Sequence, residues 1–131
     1  MNRVWIIGNL TRDPEIRHSA SGDAVAGFCL AINHRVKRGD KWVDDPTFVD
    51  CEAWKWGADK IEKRCQLGTQ ISVDGRLKLD KWVTKDGEPR QKIIVVCDRI
   101  EVLGREKPQE EPPKVEGKSR YVTPPEGDIP F

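Results

Sequence analysis

Phe48, Asp50, Glu52 and Trp54 alternate along one stretch with Val49, Cys51 and Ala53, and a period of two puts these sets on opposite sides of a strand. A buried Asp and Glu two residues apart would each need a partner, so the acidic side is expected to face water and to carry Phe48 and Trp54 with it. The same parity sets Trp82 beside Arg76 and Lys78, with Lys81 adjacent in sequence. Rings standing in water among cations suit one chemistry: stacking on the π-faces of unpaired bases while Arg and Lys follow the phosphates. Lys55, Trp56, Arg3 and Arg17 are further candidates for phosphate or stacking contacts. Trp42, in the segment Val36–Trp42, either closes over a strand or packs its own loop. The competing use of such rings is to close the end of a domain or fill a subunit interface. Trp5 belongs to that second group, because its run Val4-Trp5-Ile6-Ile7 is apolar on both faces and points to core or interface.

The elements that must hold these side chains are legible from patterning. Ile71, Val73, Gly75, Leu77 and Leu79 alternate with Ser72, Asp74, Arg76, Lys78 and Asp80, which reads as a half-buried strand over Thr69–Val83 with its odd-numbered face inward. Asp86-Gly87 then signals a turn into a second strand, Arg90–Leu103, so the two form a long hairpin. Arg3–Leu10, Ala24–Asn33 and Thr47–Trp54 supply three earlier strands. Ala58, Ile61 and Cys65 at helical spacing predict a helix over Gly57–Leu67, closed by Gly68 in a left-handed cap. Five strands with one short helix between the third and fourth is the order of an all-β OB-fold, a small barrel whose strand face and loops hold oligonucleotides or oligosaccharides.

Composition narrows the function classes. The chain has 131 residues, of which 37% are hydrophobic and 34% charged, with 23 Lys plus Arg against 22 Asp plus Glu. No stretch approaches the roughly 18 apolar residues of a spanning helix. The opening Met1-Asn2-Arg3-Val4-Trp5 lacks the hydrophobic core of a secretory signal, so export is not expected. Cys29, Cys51, Cys65 and Cys97 are widely spaced, which suits reduced buried thiols and neither disulfides nor a zinc site. His18, placed in the first-strand region, and His34, at the end of the second strand, fall in no nucleophile or metal-ligand spacing, and no Gly-rich phosphate loop precedes a helix. Neither an enzyme nor a cofactor nor a metal is expected.

Of the nine prolines, Pro14, Pro46 and Pro89 lie before Glu106 and the rest after it. From Glu106 to Glu126 the large apolar groups are Val115, Tyr121 and Val122, too few to offset the roughly 1–2 kcal/mol of backbone entropy lost per ordered residue. The division expected is a mildly basic domain over 1–105 and a disordered, mildly acidic tail over 106–131. The tail ends in Ile129-Pro130-Phe131, which presents two apolar side chains, a rigid Pro and a carboxylate in one short reach, the makings of a peptide ligand.

Several of these stretches together resemble bacterial single-stranded DNA-binding proteins. The matching segments are Asn2–Leu10 with Asp13-Pro14-Glu15-Ile16-Arg17, Phe48–Trp54, Val73–Leu77 running on to Lys81-Trp82, and Asp128-Ile129-Pro130-Phe131. The resemblance implies a homotetramer of OB-folds that wraps single-stranded DNA without sequence preference in replication, recombination and repair. It implies that Phe48, Trp54 and Trp82 stack, and that Arg3, Arg76, Lys78 and Lys81 track the backbone. The first strand would form a dimer edge with Trp5 at the interface, and Asp128–Phe131 would dock replication and repair proteins. It further implies a cytoplasmic, nucleoid-associated protein of bacterial or phage origin. Two departures stand out. The family's loop aromatic falls near Val36, so that contact depends on Trp42. Asp50 and Glu52 sit on the binding side, where they cost affinity for phosphate unless Lys55 or Arg76 neutralises them. An OB-fold that binds RNA, or serves as a protein-interaction module, is the alternative reading.

Overall fold

A computed structural model describes residues 1–108. They form β1 (Val4–Leu10), β2 (Glu15–His18), β3 (Ala24–Ile32), β4 (Arg35–Arg38), β5 (Lys41–Asp44), β6 (Thr47–Trp54), α1 (Trp56–Arg64), β7 (Gln70–Val83) and β8 (Pro89–Gly104). The five strands expected from alternation are β1, β3, β6, β7 and β8, and these alone close a barrel. β1 pairs with β7, β7 with β8, β8 with β6 and β6 with β3, and β3 returns to β1 at Asn9 and Leu10. The pairings are antiparallel except the short one between β6 and β8. This is the OB barrel the sequence predicts, with the helix between its third and fourth strands.

Inward parity builds the core. Leu10, Phe28, Leu30, Ile71, Val73 and Val95 are buried inside the barrel, and α1 lays Ala58 and Ile61 against β3, β6 and β8. The helix ends at Arg64, short of the expected Leu67. The buried Cys65 takes an extended conformation (φ −119°), and its amide still bonds Ile61 O at 3.0 Å. Gly68 is left-handed as expected (φ +90°), but it serves the next turn, in which Thr69 N bonds Gln66 O at 3.0 Å. The pull of Cys65 into the core therefore outweighs helical continuation.

Three short strands were not foreseen. β2 pairs with β3 on the outside of the barrel and carries Arg17 and His18, so His18 lies on a separate strand and not in the first. The segment read as a loop around Trp42 is instead the hairpin β4–β5, turning at Gly39-Asp40 with Gly39 at φ +64°. Further corrections concern which residues are covered. Trp5 is 79% exposed in the single chain and is not core; Val4 and Ile6 take the inward positions, and Trp5 Nε1 donates to Ser72 Oγ at 2.9 Å. Leu77 and Leu79 continue the inward parity of Ile71 and Val73 yet are exposed. The pairing shifts register at Asp74/Gly75, where a Cβ on Gly75 would stand 2.1 Å from Val96 O. Past Leu77, whose partner Val95 stands at the end of the pairing of β8 with β6, β7 and β8 run on as a two-stranded ribbon, turning at Gly87 (φ +85°) as the Asp-Gly signal predicts. Past Gly104, Lys107 N still bonds Arg64 O at 2.8 Å and Glu106 pairs with Arg64. The remainder of the expected tail, 109–131, lies outside the described residues.

Candidate nucleic-acid interface

Register brings the predicted rings onto one continuous outer surface. Even-numbered residues of β6 face outward beside Lys92, Ile94 and Val96 of β8, and across the ribbon Lys92 stands opposite Asp80 and Arg90 opposite Trp82. Phe48 is 63%, Trp54 37% and Trp82 42% exposed. Lys92 links β6 to the ribbon: its Nζ lies 3.0 Å from Asp50 Oδ2 and 5.6 Å from the centre of the Trp82 ring, within cation–π range. Lys78 shares the Trp82 side of the ribbon. Lys81, by parity, points to the other side, with Leu79 and Val83.

One expectation about this surface fails. Glu52 was to stand in water with Asp50, but it is only 9% exposed. Its charged partner comes from a strand that local alternation does not reveal, Arg17 of β2 placing Nη2 3.3 Å from Oε2, and its neighbour Trp54 on β6 donates its indole N–H to Oε1 at 2.6 Å. The neutralising cations are thus Arg17 and Lys92, not Lys55 and Arg76.

Beyond Trp54 the surface dips into a groove of about 910 Å³ between α1 and β8, lined by Trp54, Lys55, Trp56, Lys60, Asp98 and Arg99 among others. Lys55 turns the chain from β6 into α1 with φ +54°, an uncommon conformation for a residue with a Cβ that costs on the order of 1–3 kcal/mol. That turn sets both tryptophans at one groove, and Trp56 is 90% exposed. Asp98, on the same groove, holds two of the predicted cations. Arg3 bridges Asp98 at 2.7 Å and Asp74, and Arg76 reaches Asp98 at 3.3 Å. Hydrogen bonds to Asp98 and Asp74 raise the Arg3 pKa above its ordinary value. Arg3 and Arg76 would meet a phosphate only by exchanging these partners. Trp42 is exposed on β5 opposite Lys37, in a two-stranded sheet separate from the barrel.

Lys92 and Arg90 are the site residues that sequence reasoning missed. The signal was present: an Asp-Gly turn sets the hairpin register, and the register places Arg90 opposite Trp82. Asp128–Phe131 lie outside the described residues. The cysteines fit the structural reading, with Cys29, Cys51 and Cys65 buried and all four unbridged. Burial pushes the Cys65 thiol up to about 11, and a hydrogen bond with Cys97 together with burial raises that of Cys51. No helix among the described residues is long and apolar enough to cross a membrane.

Fold and surface together define an OB barrel with a wall of exposed rings and paired cations. The model of the single-strand binding protein family matches residues 1–103. The single-stranded DNA-binding protein of Treponema pallidum is 34% identical over 104 residues, covering 79% of this chain and 58% of the relative. That of Borreliella burgdorferi is 33% identical, covering 79% of this chain and 70% of the relative. A solved Plasmodium falciparum SSB complex with ssDNA superposes with a TM-score of 0.70 at 23% identity, covering 79% of this chain and 96% of that one. The chain belongs to the single-strand binding protein family.

Proposed function

We propose that this protein binds single-stranded DNA without sequence preference, by stacking bases on Phe48, Trp54 and Trp82 while cations follow the phosphates. The observation that carries this reading is the shared outer surface of those three exposed rings, on which Trp54 is bonded to Glu52 and Lys92 links Trp82 to Asp50. Lys78 on the Trp82 side of the ribbon and Lys55 at the groove are available to the strand as they stand; Arg90, Lys92, Arg3, Arg17 and Arg76 join by leaving their carboxylates. Lys81 contacts the strand from the far side of the ribbon, Trp56 extends the stack into the groove, and Trp42 adds a ring on its hairpin. Catalysis has no part in this activity.

Family membership supports the wider role: protecting unpaired DNA in replication, recombination and repair, in the cytoplasm and at the nucleoid of a bacterium or on behalf of a phage. The proposed assembly is a homotetramer. Supporting it, among the described residues β1 pairs with β3 only at Asn9 and Leu10, which leaves the Val4–Gly8 edge open beside the exposed Trp5 and Ile7. Open apolar edges invite strand pairing with another copy. The proposed division of labour gives DNA binding to 1–105 and recruitment of replication and repair proteins to the tail 106–131 through Asp128–Phe131.

The test compares oligo-dT with oligo-U at equal length and salt, with mass measured alongside by light scattering. Tighter binding of oligo-dT by a species of four chains is expected. Equal or tighter binding of oligo-U would favour the RNA reading, and binding of neither would favour an interaction module. Adding an unrelated tag after Phe131 is expected to abolish partner recruitment with DNA affinity unchanged; recruitment that survives contradicts the role of the tip.

A further inference from the structure

A carboxylate at position 52 is costly on two counts. It is nearly buried, which desolvates its charge, and it lies under a surface read as receiving phosphates. What it supplies is an anchor. The indole N–H is the only hydrogen-bond donor of a Trp side chain, and Glu52 Oε1 accepts it at 2.6 Å. Such a bond runs in the plane of the ring, so it holds the edge of Trp54 and leaves the π-face open. Arg17 holds the other oxygen of Glu52 at 3.3 Å, and Gly27 of β3, directly opposite Glu52, contributes no side chain to crowd the pair.

We infer that Glu52 is a positioning residue for single-strand binding: with Arg17 behind it, it sets the Trp54 ring in its stacking pose before the strand arrives. This rests on the proposed stacking role of Trp54. Ordering a rotamer-rich side chain during binding costs about two- to tenfold in affinity, and a ring ordered in advance avoids that loss. Electrostatics alone predicts the opposite sign, because removing a negative charge near phosphate tightens binding. The two accounts therefore separate cleanly.

The experiment uses Glu52→Gln and Glu52→Ala, each with Trp54 intact and in a Trp54→Ala background. Both substitutions remove the charge, but Gln keeps an acceptor for the indole. Oligo-dT affinity is measured together with the Trp54 indole N–H signal in ¹H–¹⁵N spectra, assigned by its loss in Trp54→Ala. Glu52→Gln is expected to bind at least as tightly as the parent with the indole signal still shifted as by a hydrogen bond. Glu52→Ala is expected to bind about three- to tenfold more weakly than Glu52→Gln, with that signal moved toward free indole. With Trp54 replaced, the Gln and Ala proteins should bind alike. Equal affinities for Gln and Ala beside an intact Trp54, or a Gln/Ala difference that persists without Trp54, overturns the inference while leaving stacking in place. A Trp54→Ala protein that binds like the parent overturns both. Melting temperatures of the four Glu52 variants, the parent and Trp54→Ala identify any loss that comes from unfolding, and a Glu52→Ala protein that does not fold leaves the decision to Glu52→Gln, whose loss of the indole shift contradicts the tether.

Discussion

Trp54→Ala separates the stacking contribution from the charge contribution. Roughly 250 Å² is the upper end of what a Trp side chain covers, and 37% of the residue is exposed to receive a base. Covering that remainder removes about 90 Å² from water, worth about 2 kcal/mol at roughly 25 cal/mol per Å². This falls inside the range of about 1–3 kcal/mol for base–aromatic stacking. It corresponds to about a 30-fold loss of affinity for each protomer that engages its ring, at about 1.4 kcal/mol per tenfold. The ring carries no charge, so the slope of log affinity against log salt should stay where it was. Lys78→Ala should do the reverse, flattening the slope by about 0.7 for each phosphate that the lysine neutralises and weakening binding most at low salt. The assay is a fluorescence-anisotropy titration of labelled oligo-dT across a series of salt concentrations. Parallel slopes for Lys78→Ala and the parent, or a changed slope for Trp54→Ala, would refute this division of labour.

Three other outcomes are expected. Gly75→Ala drives a Cβ to 2.1 Å from Val96 O, so β7 must part from β8 within the barrel wall, where β8 also pairs with β6; the loss is about 1–3 kcal/mol or more, read as a lowered midpoint in urea unfolding. Trp5→Glu places a charge on the open β1 edge and is expected to lower the mass by light scattering without lowering the helix and strand content seen by circular dichroism. The raised Cys65 thiol pKa means the folded chain holds that proton more tightly than the unfolded one. Its share of stability is complete below the ordinary thiol value of 9.0 and is lost as pH rises toward about 11. Cys65→Ser, which has no thiol to ionise, should show a smaller fall across that window in urea unfolding at stepped pH.

The barrel was legible because its five strands each bury one face, and burial writes alternation into the sequence. Phe48, Trp54 and Trp82 followed from the same parity. β4 and β5 escaped because neither Arg35–Arg38 nor Lys41–Asp44 buries a face, so no alternation is written there and the two-residue Gly39-Asp40 turn is the signal left. β2 escaped because Glu15–His18 offers a single apolar residue, Ile16. That omission led to the misreading of Glu52: its partner Arg17 arrives from 35 residues away on the unseen strand, so local rules did not supply the cation that lets the carboxylate be covered and sent it to solvent. The end of α1 was misplaced for a related reason, since the burial of Cys65 in the core is decided by tertiary packing and not by the helical spacing of Ala58, Ile61 and Cys65. Trp5 was open from the start, and the chain alone places it outside.

The most direct test of the central claim is a titration of intrinsic tryptophan fluorescence with oligo-dT, and with the same length of duplex, for the parent and for a protein with Phe48, Trp54 and Trp82 all replaced by Ala. Strong quenching of the parent by the single strand, little by the duplex, and loss of high-affinity single-strand binding in the triple variant are the predicted results. A triple variant that stays folded and binds oligo-dT as the parent does would contradict the claim that these rings grip the strand.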